Sequence, residues 1–222
     1  MKTVICVPCM DQVPALFCQS LAMLLRVEDT SVAFQIGSLI YSSRNQLAAR
    51  SIKLEADYVL WLDSDMTFMP DTLQRMHRQM AENNLDILSG LYFRRVRPFT
   101  PVLFDKLVCE GEDKGFTEFE TIPPALFEAG GIGFGCVLMK TDVFLDVQSK
   151  FGCMFDPING FGEDLSFCWR ARECGHKIYV DPTLMCGHVG HQVITKDTYV
   201  QFHKTVESVV NGGGEHGAAG QS

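Results

Sequence analysis

The stretch YVLWLDSDM, residues 58–66, decides the fold expected for this chain. Its first five residues are apolar or aromatic, which predicts a buried strand, and the strand ends in the acidic triplet Asp63-Ser64-Asp65. A helix is predicted next, from Pro70 to about Ala81. At the carboxyl ends of strands in α/β sheets, loops carry ligand-binding residues while the sheet fixes their roots. The triplet therefore predicts a binding site at this edge of a sheet.

Strands and helices alternate along the rest of the chain, which predicts an α/β fold with a Rossmann-like, mostly parallel central sheet and helices on both faces. The other predicted strands are Thr3 to Val7, Val32 to Ile36, Asp86 to Ser89, Val102 to Phe104, Glu118 to Ile122 and Gly133 to Lys140, with short ones near Ile178 and Leu184. The other predicted helices start near Pro14, cover Ser43 to Ala56, follow Thr141 as an N-cap, and cover Gly162 to Cys174 and Thr195 to Val210. A turn is predicted over Cys109 to Gly115.

Length and composition indicate one domain. We expect residues 1–210 to form it and residues 211–222, which are rich in glycine and poor in apolar residues, to be a disordered tail. The net charge of -8 argues against general attraction to nucleic acids or anionic lipids. No apolar run approaches the roughly 20 residues of a membrane span, and no export signal precedes the nine cysteines, so a cytoplasmic protein with reduced thiols is expected.

Two further constellations carry chemistry. Glu163 and Asp164 open a predicted helix, where the helix dipole favours ionised carboxylates and one of them can take a proton from an attacking hydroxyl; ordinary helix capping is the alternative. His188 follows a short apolar strand between glycines, and a neutral imidazole suits manganese-type cations. Two carboxylates one residue apart, Asp63 and Asp65, can reach a divalent cation and a ribose together.

The order of these motifs resembles the nucleotide-sugar glycosyltransferases of the GT-A fold, specifically the large family 2, whose members are inverting enzymes. The resemblance covers about Val4 to His191, and residues 90–104 are similar to small transferases of phages and bacteria. It rests on Arg44-Asn45, YVLWLDSDM at 58–66, GIGFGCVLMKTDVF at 131–144 and GEDLSFCWRARECGHKIYVDPTLMCGHVG at 162–190.

The resemblance implies a donor site, a metal site and a catalytic base. The nucleotide-sugar site would consist of Pro8, Arg44, Asn45, Asp63, Ser64, Asp65 and Gly133, with Asp63 on the ribose. Asp65 and His188 would hold Mn²⁺ or Mg²⁺, Asp164 would be the base, and Glu163 its companion. A nucleotide diphosphate sugar, expected to be a UDP-sugar, would be the donor. Family members often carry an acidic uracil reader after the second strand, but this chain has Gly37-Ser38, which leaves the base open.

The acceptor is open as well, with a glycan, a protein and modified DNA all compatible with the sequence. Arg94, Arg95 and Arg97 lie among aromatic residues and could hold an anionic acceptor, or form a solvated loop.

Two other classes of protein compete with this interpretation. Cys6 and Cys9 form a C-x-x-C motif typical of thiol-disulfide oxidoreductases, although four residues separate Cys9 from the helix at Pro14. A non-enzymatic zinc-binding module would draw its ligands from cysteines and histidines, but the second C-x-x-C of a zinc ribbon is missing. Its candidate ligands are Cys6, Cys9, Cys18, Cys186, His188 and His191.

Overall fold

A computed structural model describes residues 1–37, 39–110, 113–158, 160–190 and 193–212, and a seven-stranded sheet forms its centre. The strands are β1 Thr3–Cys9, β2 Thr30–Ile36, β3 Tyr58–Leu62, β4 Met66–Thr67, β5 Ile87–Leu91, β6 Leu103–Phe104, β7 Lys106–Glu110, β8 Asp113–Thr117, β9 Phe127–Ala129, β10 Gly131–Ile132, β11 Cys136–Lys140, β12 Ile178–Met185, β13 Gly187–Val189 and β14 Val193–Ile194. The helices are α1 Ala15–Met23, α2 Ile40–Lys53, α3 Thr72–Asn83, α4 Asp142–Phe151, α5 Glu163–Glu173 and α6 Lys196–Gly212.

The central sheet has the strand order β2-β1-β3-β11-β5-β12-β9. Strands β1, β2 and β3 pair in parallel, as do β5 and β12, whereas β11 runs antiparallel between β3 and β5 and β9 runs antiparallel at the edge. All the strands except β9 and β11 therefore point the same way. The prediction of a mostly parallel, Rossmann-like α/β sheet is confirmed.

Strand β3 is buried on both faces because its apolar run leaves no polar side. Trp61 faces a core that also contains residues of α2, α4 and α5, while Leu60 and Leu62 face a second core with residues of α1 and α3. Helices therefore cover both faces of the sheet, as predicted. In the described ranges, no helix combines the length and the apolar character needed to cross a bilayer.

Several predicted boundaries need correction. The strand predicted at Glu118 to Ile122 is wrong: the strand lies at Asp113–Thr117 and pairs with β7 in a hairpin that takes up most of the predicted turn. In the predicted strand Gly133 to Lys140, only Cys136–Lys140 is a strand. The two short strands near Ile178 and Leu184 are one strand, β12, with a register shift after Asp181.

The helix predictions differ from the structure mainly at their ends. Helix α2 begins three residues before the predicted start, and Glu55, with a φ of 53°, follows its end. Thr141 precedes α4 as predicted, but its side chain makes no capping hydrogen bond. Helix α6 extends to Gly212, two residues into the predicted tail, and the rest of the tail, residues 213–222, lies outside the described residues.

Candidate active site

A small three-stranded sheet brings His188 to the acidic triplet. Strand β13 pairs with β4, so that His188 lies opposite Met66, and the Val189 N–H donates to the Asp65 carbonyl at 2.7 Å. Gly187 allows this approach, because a Cβ there would lie 2.4 Å from the Thr67 hydroxyl. Residues that are more than 120 positions apart in the sequence thus become neighbours at the carboxyl end of β3.

Asp65 and His188 form a donor pair that fits a divalent cation. His188 Nε2 lies 3.4 Å from Asp65 Oδ2, and the histidine's Nδ1 lies 2.9 Å from the Phe93 carbonyl. An Nδ1–H that donates to this carbonyl leaves the Nε2 lone pair for a cation beside the carboxylate. In the part of the chain that the structure describes, no third His, Cys, Asp or Glu joins them in a metal-binding group. Further ligands would be substrate oxygens and water, which Mn²⁺ and Mg²⁺ accept.

Each member of this pair changes the ionisation of the other. Burial alone would raise the pKa of Asp65, but the hydrogen bond and charge of His188, together with the charge of Arg95, lower it below its ordinary value. Burial alone would lower the pKa of His188, but Asp65 and the Phe93 carbonyl raise it. Each side chain thus favours the charged form of the other, and a cation that binds at Nε2 requires the neutral imidazole.

Arg95 belongs to this cluster, although the sequence pointed only to a possible acceptor site. Its Nη1 donates to Asp65 Oδ2 at 2.6 Å and to the Val189 carbonyl at 3.4 Å. Its neighbours in the arginine cluster lie elsewhere: Arg94 pairs with Glu118 at 3.9 Å, and Arg97 packs over the ring of Phe202. The three arginines therefore do not form one basic surface. The basic run was the only feature of the sequence that pointed to Arg95, and it did not indicate the contact with Asp65.

Arg44 is the buried centre of the second half of the site. Only 1% of its side chain is exposed; Nη2 donates to Asp63 Oδ1 at 3.0 Å, and Nε lies 3.2 Å from Asp164 Oδ1 and 3.6 Å from Glu163 Oε1. The rings of Trp61 and Phe134 pack against its guanidinium. The prediction that Arg44 contacts the nucleotide sugar does not fit this burial. Its position shows that it holds three carboxylates together.

Asp164 has the ionisation expected of a general base. Burial raises its pKa to about 7 against the opposing charge of Arg44, and the negative charges of Glu163 and Asp63 add to the rise. Its Oδ2 accepts a hydrogen bond from the Phe134 N–H at 3.2 Å, which fixes the carboxylate at the start of α5. A base with a pKa near the working pH combines a deprotonated form with useful basicity.

A cleft of about 830 Å³ opens at this edge of the sheet. It is lined by Pro8, Cys9, Met10, Gly37, Leu39, Ile40, Ser43, Asp63, Ser64, Asp65, Arg95 and His188. A second cleft of about 480 Å³ is lined by Pro14, Asp65, Arg95, Val96, Val189 and Gly190. Asp65 and Arg95 line both clefts. The structure thus gathers five of the predicted residues around one space: Pro8, Asp63, Ser64, Asp65 and His188.

Two of the predicted donor-binding residues, Asn45 and Gly133, make close contacts within the protein. Asn45 donates to Asp156 Oδ2 and accepts from the Phe155 N–H, both at 2.9 Å, so it fixes the segment that leads towards α5. Gly133 is enclosed in the protein, and a Cβ there would lie 2.2 Å from the Tyr92 hydroxyl oxygen. Packing against Tyr92 thus accounts for the glycine at position 133, and its contact with the donor stays a prediction.

The C-x-x-C motif does not have the geometry of a redox site. Cys6 and Cys9 lie in one strand, three residues apart, so their side chains point to opposite faces of the sheet. Burial raises the pKa of the Cys6 thiol to about 12 and also raises the pKa of Cys9, whereas a redox cysteine needs a lowered pKa. For the zinc alternative, the described residues contain no metal-binding group of three, and His191 lies outside them.

The sheet topology and the similarities below support a GT-A, Rossmann-like fold like that of glycosyltransferase family 2. The crystal structure of A197 from STIV has a similar fold, with a TM-score of 0.66, 16% sequence identity and coverage of 89% of this chain and 92% of that one. No model of a protein family matches the sequence.

Among sequence relatives, the mannan polymerase complex subunit mnn9 of Schizosaccharomyces pombe is 26% identical over 66% of this chain and 50% of its own length. The pre-mycofactocin glycosyltransferase of Mycobacterium tuberculosis is 24% identical over 66% of this chain and 30% of its own length. The chain thus spans half or less of the length of these two relatives.

Proposed function

We propose that this chain is a metal-dependent, inverting glycosyltransferase that moves a sugar from a nucleotide diphosphate sugar, expected to be a UDP-sugar, to an acceptor hydroxyl. The observation that carries the proposal is the ion-pair network of Arg44, which joins Asp63 on the cleft wall to Asp164 at the start of α5. Asp63, which would bind the donor, and Asp164, the candidate base, thus pair with the same buried guanidinium. The similarity to a mannan polymerase complex subunit and to a pre-mycofactocin glycosyltransferase supports sugar transfer as the reaction.

The donor would lie along the large cleft. Pro8, Met10 and Leu39 offer apolar contacts for the nucleobase, and Asp63 can accept hydrogen bonds from the ribose hydroxyls. Asp65 and His188 would hold Mn²⁺ or Mg²⁺ next to the diphosphate. When bound, the cation stabilises the negative charge that grows on the departing diphosphate.

Asp164 would then act on the acceptor. Its carboxylate takes the proton of the acceptor hydroxyl while the acceptor oxygen forms a bond to the anomeric carbon. The bond from this carbon to the diphosphate oxygen breaks, and its electron pair leaves with the nucleoside diphosphate. Because attack occurs opposite the leaving group, the anomeric configuration is inverted. Glu163, which also pairs with Arg44, supports the position of the helix start.

The first test is donor hydrolysis with a set of UDP-, GDP- and dTDP-sugars, with and without Mn²⁺. Many transferases release sugar slowly to water, so a hydrolysed donor identifies the base and the sugar without knowledge of the acceptor. We expect hydrolysis of at least one donor, and we expect EDTA to stop it. If no donor is hydrolysed and calorimetry detects no nucleoside diphosphate binding, the proposed function is wrong.

The second test compares Asp65→Ala and His188→Ala with the parent in calorimetry of Mn²⁺-dependent nucleoside diphosphate binding. Each variant removes one cation ligand, and we expect binding to weaken about 10- to 100-fold. Asp71→Ala is a matched control because Asp71 is exposed near the same loop and its side chain makes no capping bond. If both variants bind the Mn²⁺ complex like the control, the metal assignment is wrong.

A further inference from the structure

The position of Arg95 raises a question about the proposed cation site. Asp65 Oδ2 lies 2.6 Å from Arg95 Nη1 and 3.4 Å from His188 Nε2. The guanidinium is therefore bonded to the same carboxylate oxygen that a metal ion shared by Asp65 and His188 would need as a ligand. Two positive charges repel each other at one oxygen, so Arg95 and a divalent cation compete for Asp65.

The Arg95–Asp65 pair can open without disturbing the fold. About half of the arginine side chain, 51%, is exposed, and exposed ion pairs contribute little to stability. The backbone around Arg95 is held in place, because the Arg94 N–H donates to the Thr100 carbonyl at 2.9 Å and Phe93 forms an antiparallel β-bridge with Pro101. A long side chain on a fixed root can exchange partners while the loop stays in position.

The cleft offers this side chain a second partner. Arg95 lines the large cleft together with Asp63, Ser64 and Asp65, where the proposed diphosphate would lie. A guanidinium presents a planar fork of N–H donors that matches phosphate oxygens, and such charge-assisted bonds are among the strong ones. A diphosphate that arrives with its cation therefore provides both a competitor for Asp65 and a new acceptor for Arg95.

We propose that Arg95 occupies the cation position at Asp65 in the free protein and becomes a ligand of the diphosphate in the donor complex. The inference rests on the proposed function and assigns a donor-binding role that the sequence did not predict for this residue. Its consequence is coupled binding: the free protein binds Mn²⁺ weakly, and the cation and the nucleoside diphosphate bind tightly only together.

The test measures two affinities by calorimetry in the parent and in Arg95→Ala: MnCl₂ alone, and MnCl₂ with whichever of UDP, GDP and dTDP the parent binds. Without the competing guanidinium, the variant should bind Mn²⁺ alone at least about threefold more tightly. Without the phosphate ligand, it should bind the nucleotide in the presence of Mn²⁺ about 10- to 100-fold more weakly, the loss expected for a charge-assisted hydrogen bond. Arg94→Ala is the matched control, since it removes a neighbouring arginine that pairs with Glu118, and both of its affinities should stay within about twofold of the parent.

The opposite signs of the two changes are the signature of the proposal. If both affinities fall, Arg95 only supports Asp65; if both match the Arg94→Ala control, the pair is an ordinary surface contact; and if only the metal affinity changes, Arg95 is not a phosphate ligand. Each of these results overturns the inference. A parent protein that binds no nucleoside diphosphate with Mn²⁺ would instead refute the proposed function itself.

Discussion

Replacement of Arg44 by methionine tests whether one buried cation holds the site together. The variant leaves Asp63, Glu163 and Asp164 without the positive charge that lies within 3.0 to 3.6 Å of each. Loss of one partner from a buried ion pair costs about 3–5 kcal/mol, and the carboxylates are partly exposed, which favours the lower end of that range. Methionine matches arginine in helix propensity and fills much of the same space, so the lost charge dominates. We expect a loss of about 3 kcal/mol in the free energy of unfolding.

The measurement is urea unfolding at pH 8 and at pH 5, with thermal unfolding as a second readout. For a chain of this size, about 3 kcal/mol corresponds to a fall in Tm of roughly 6–12 °C. Arg44 lowers the pKa of Asp164 in the folded protein, so without it the folded pKa rises above about 7. When an acid has a higher pKa in the folded than in the unfolded chain, the folded state loses stability as the pH rises from the unfolded pKa to the folded pKa. Removal of Arg44 extends this loss to higher pH, so the variant should lose more stability at pH 8 than at pH 5.

Arg50→Met is the matched control for this experiment. Arg50 lies on the same helix, α2, but is exposed, and its replacement should change the unfolding free energy by less than about 0.5 kcal/mol. If Arg44→Met loses less than about 1 kcal/mol, or if its loss is the same at both pH values, the three carboxylates do not depend on Arg44. The ion-pair network would then not be a feature of the protein in solution.

Three further predictions concern the base and the thiols. Asp164→Asn should lower the rate of transfer about 10²- to 10⁴-fold in steady-state assays, while calorimetry shows donor and metal binding within a few-fold of the parent. The parent should give a β-linked product from an α-linked donor, as read by NMR. Near-parental turnover of the variant or an α-linked product would exclude the proposed mechanism. The pKa of Asp164 is about 7 in the folded protein and about 3.9 in the unfolded chain, so kcat/KM should rise with pH and level off above about 7. For the same reason, urea unfolding should show Asp164→Asn gaining stability relative to the parent between pH 5 and pH 8. A kcat/KM that does not change with pH would exclude Asp164 as the base. The double change Cys6→Ser and Cys9→Ser, assayed in strong reductant, should keep turnover within about twofold, and loss of activity would return the thiol-disulfide interpretation to consideration.

The fold was predictable where a segment's own pattern determines its structure. Strand β3 has the predicted limits because five consecutive apolar residues leave only a fully buried strand as a solution. The β7–β8 hairpin was missed because Asp113–Thr117 contains charged residues and a glycine, which are poor strand formers. The antiparallel pairing with Lys106–Glu110 stabilises this segment. The ring of Phe116 also packs against the ring of Phe104, with 4.5 Å between the ring centroids. Such long-range pairing has no signature within the strand itself.

The same distinction applies to the site. The proximity of Asp65 and His188 could be predicted because the order of motifs indicated the fold, and the fold brings them together. The contact of Arg95 with Asp65 could not be predicted, since it joins residues 30 positions apart and no local pattern indicates it. At Gly133, nothing in the sequence indicated that the absence of a side chain makes room for the Tyr92 hydroxyl. The sequence motifs therefore predicted which residues lie near one another better than they predicted what each one contacts.

The buried Arg44 compensates the negative charge of the three carboxylates around it. An acidic chain that places Asp63, Glu163 and Asp164 at one sheet edge accumulates negative charge, and each carboxylate raises the cost of ionising the next. With no compensating cation, Asp164 would remain protonated near neutral pH and could not accept a proton from an acceptor hydroxyl. In the proposed mechanism a metal ion beside Asp65 would enter and leave with the donor, so it could not supply this compensation throughout a reaction cycle. The buried guanidinium of Arg44, packed against Trp61 and Phe134, lowers the pKa of Asp164, the proposed base, whether the cleft is empty or filled.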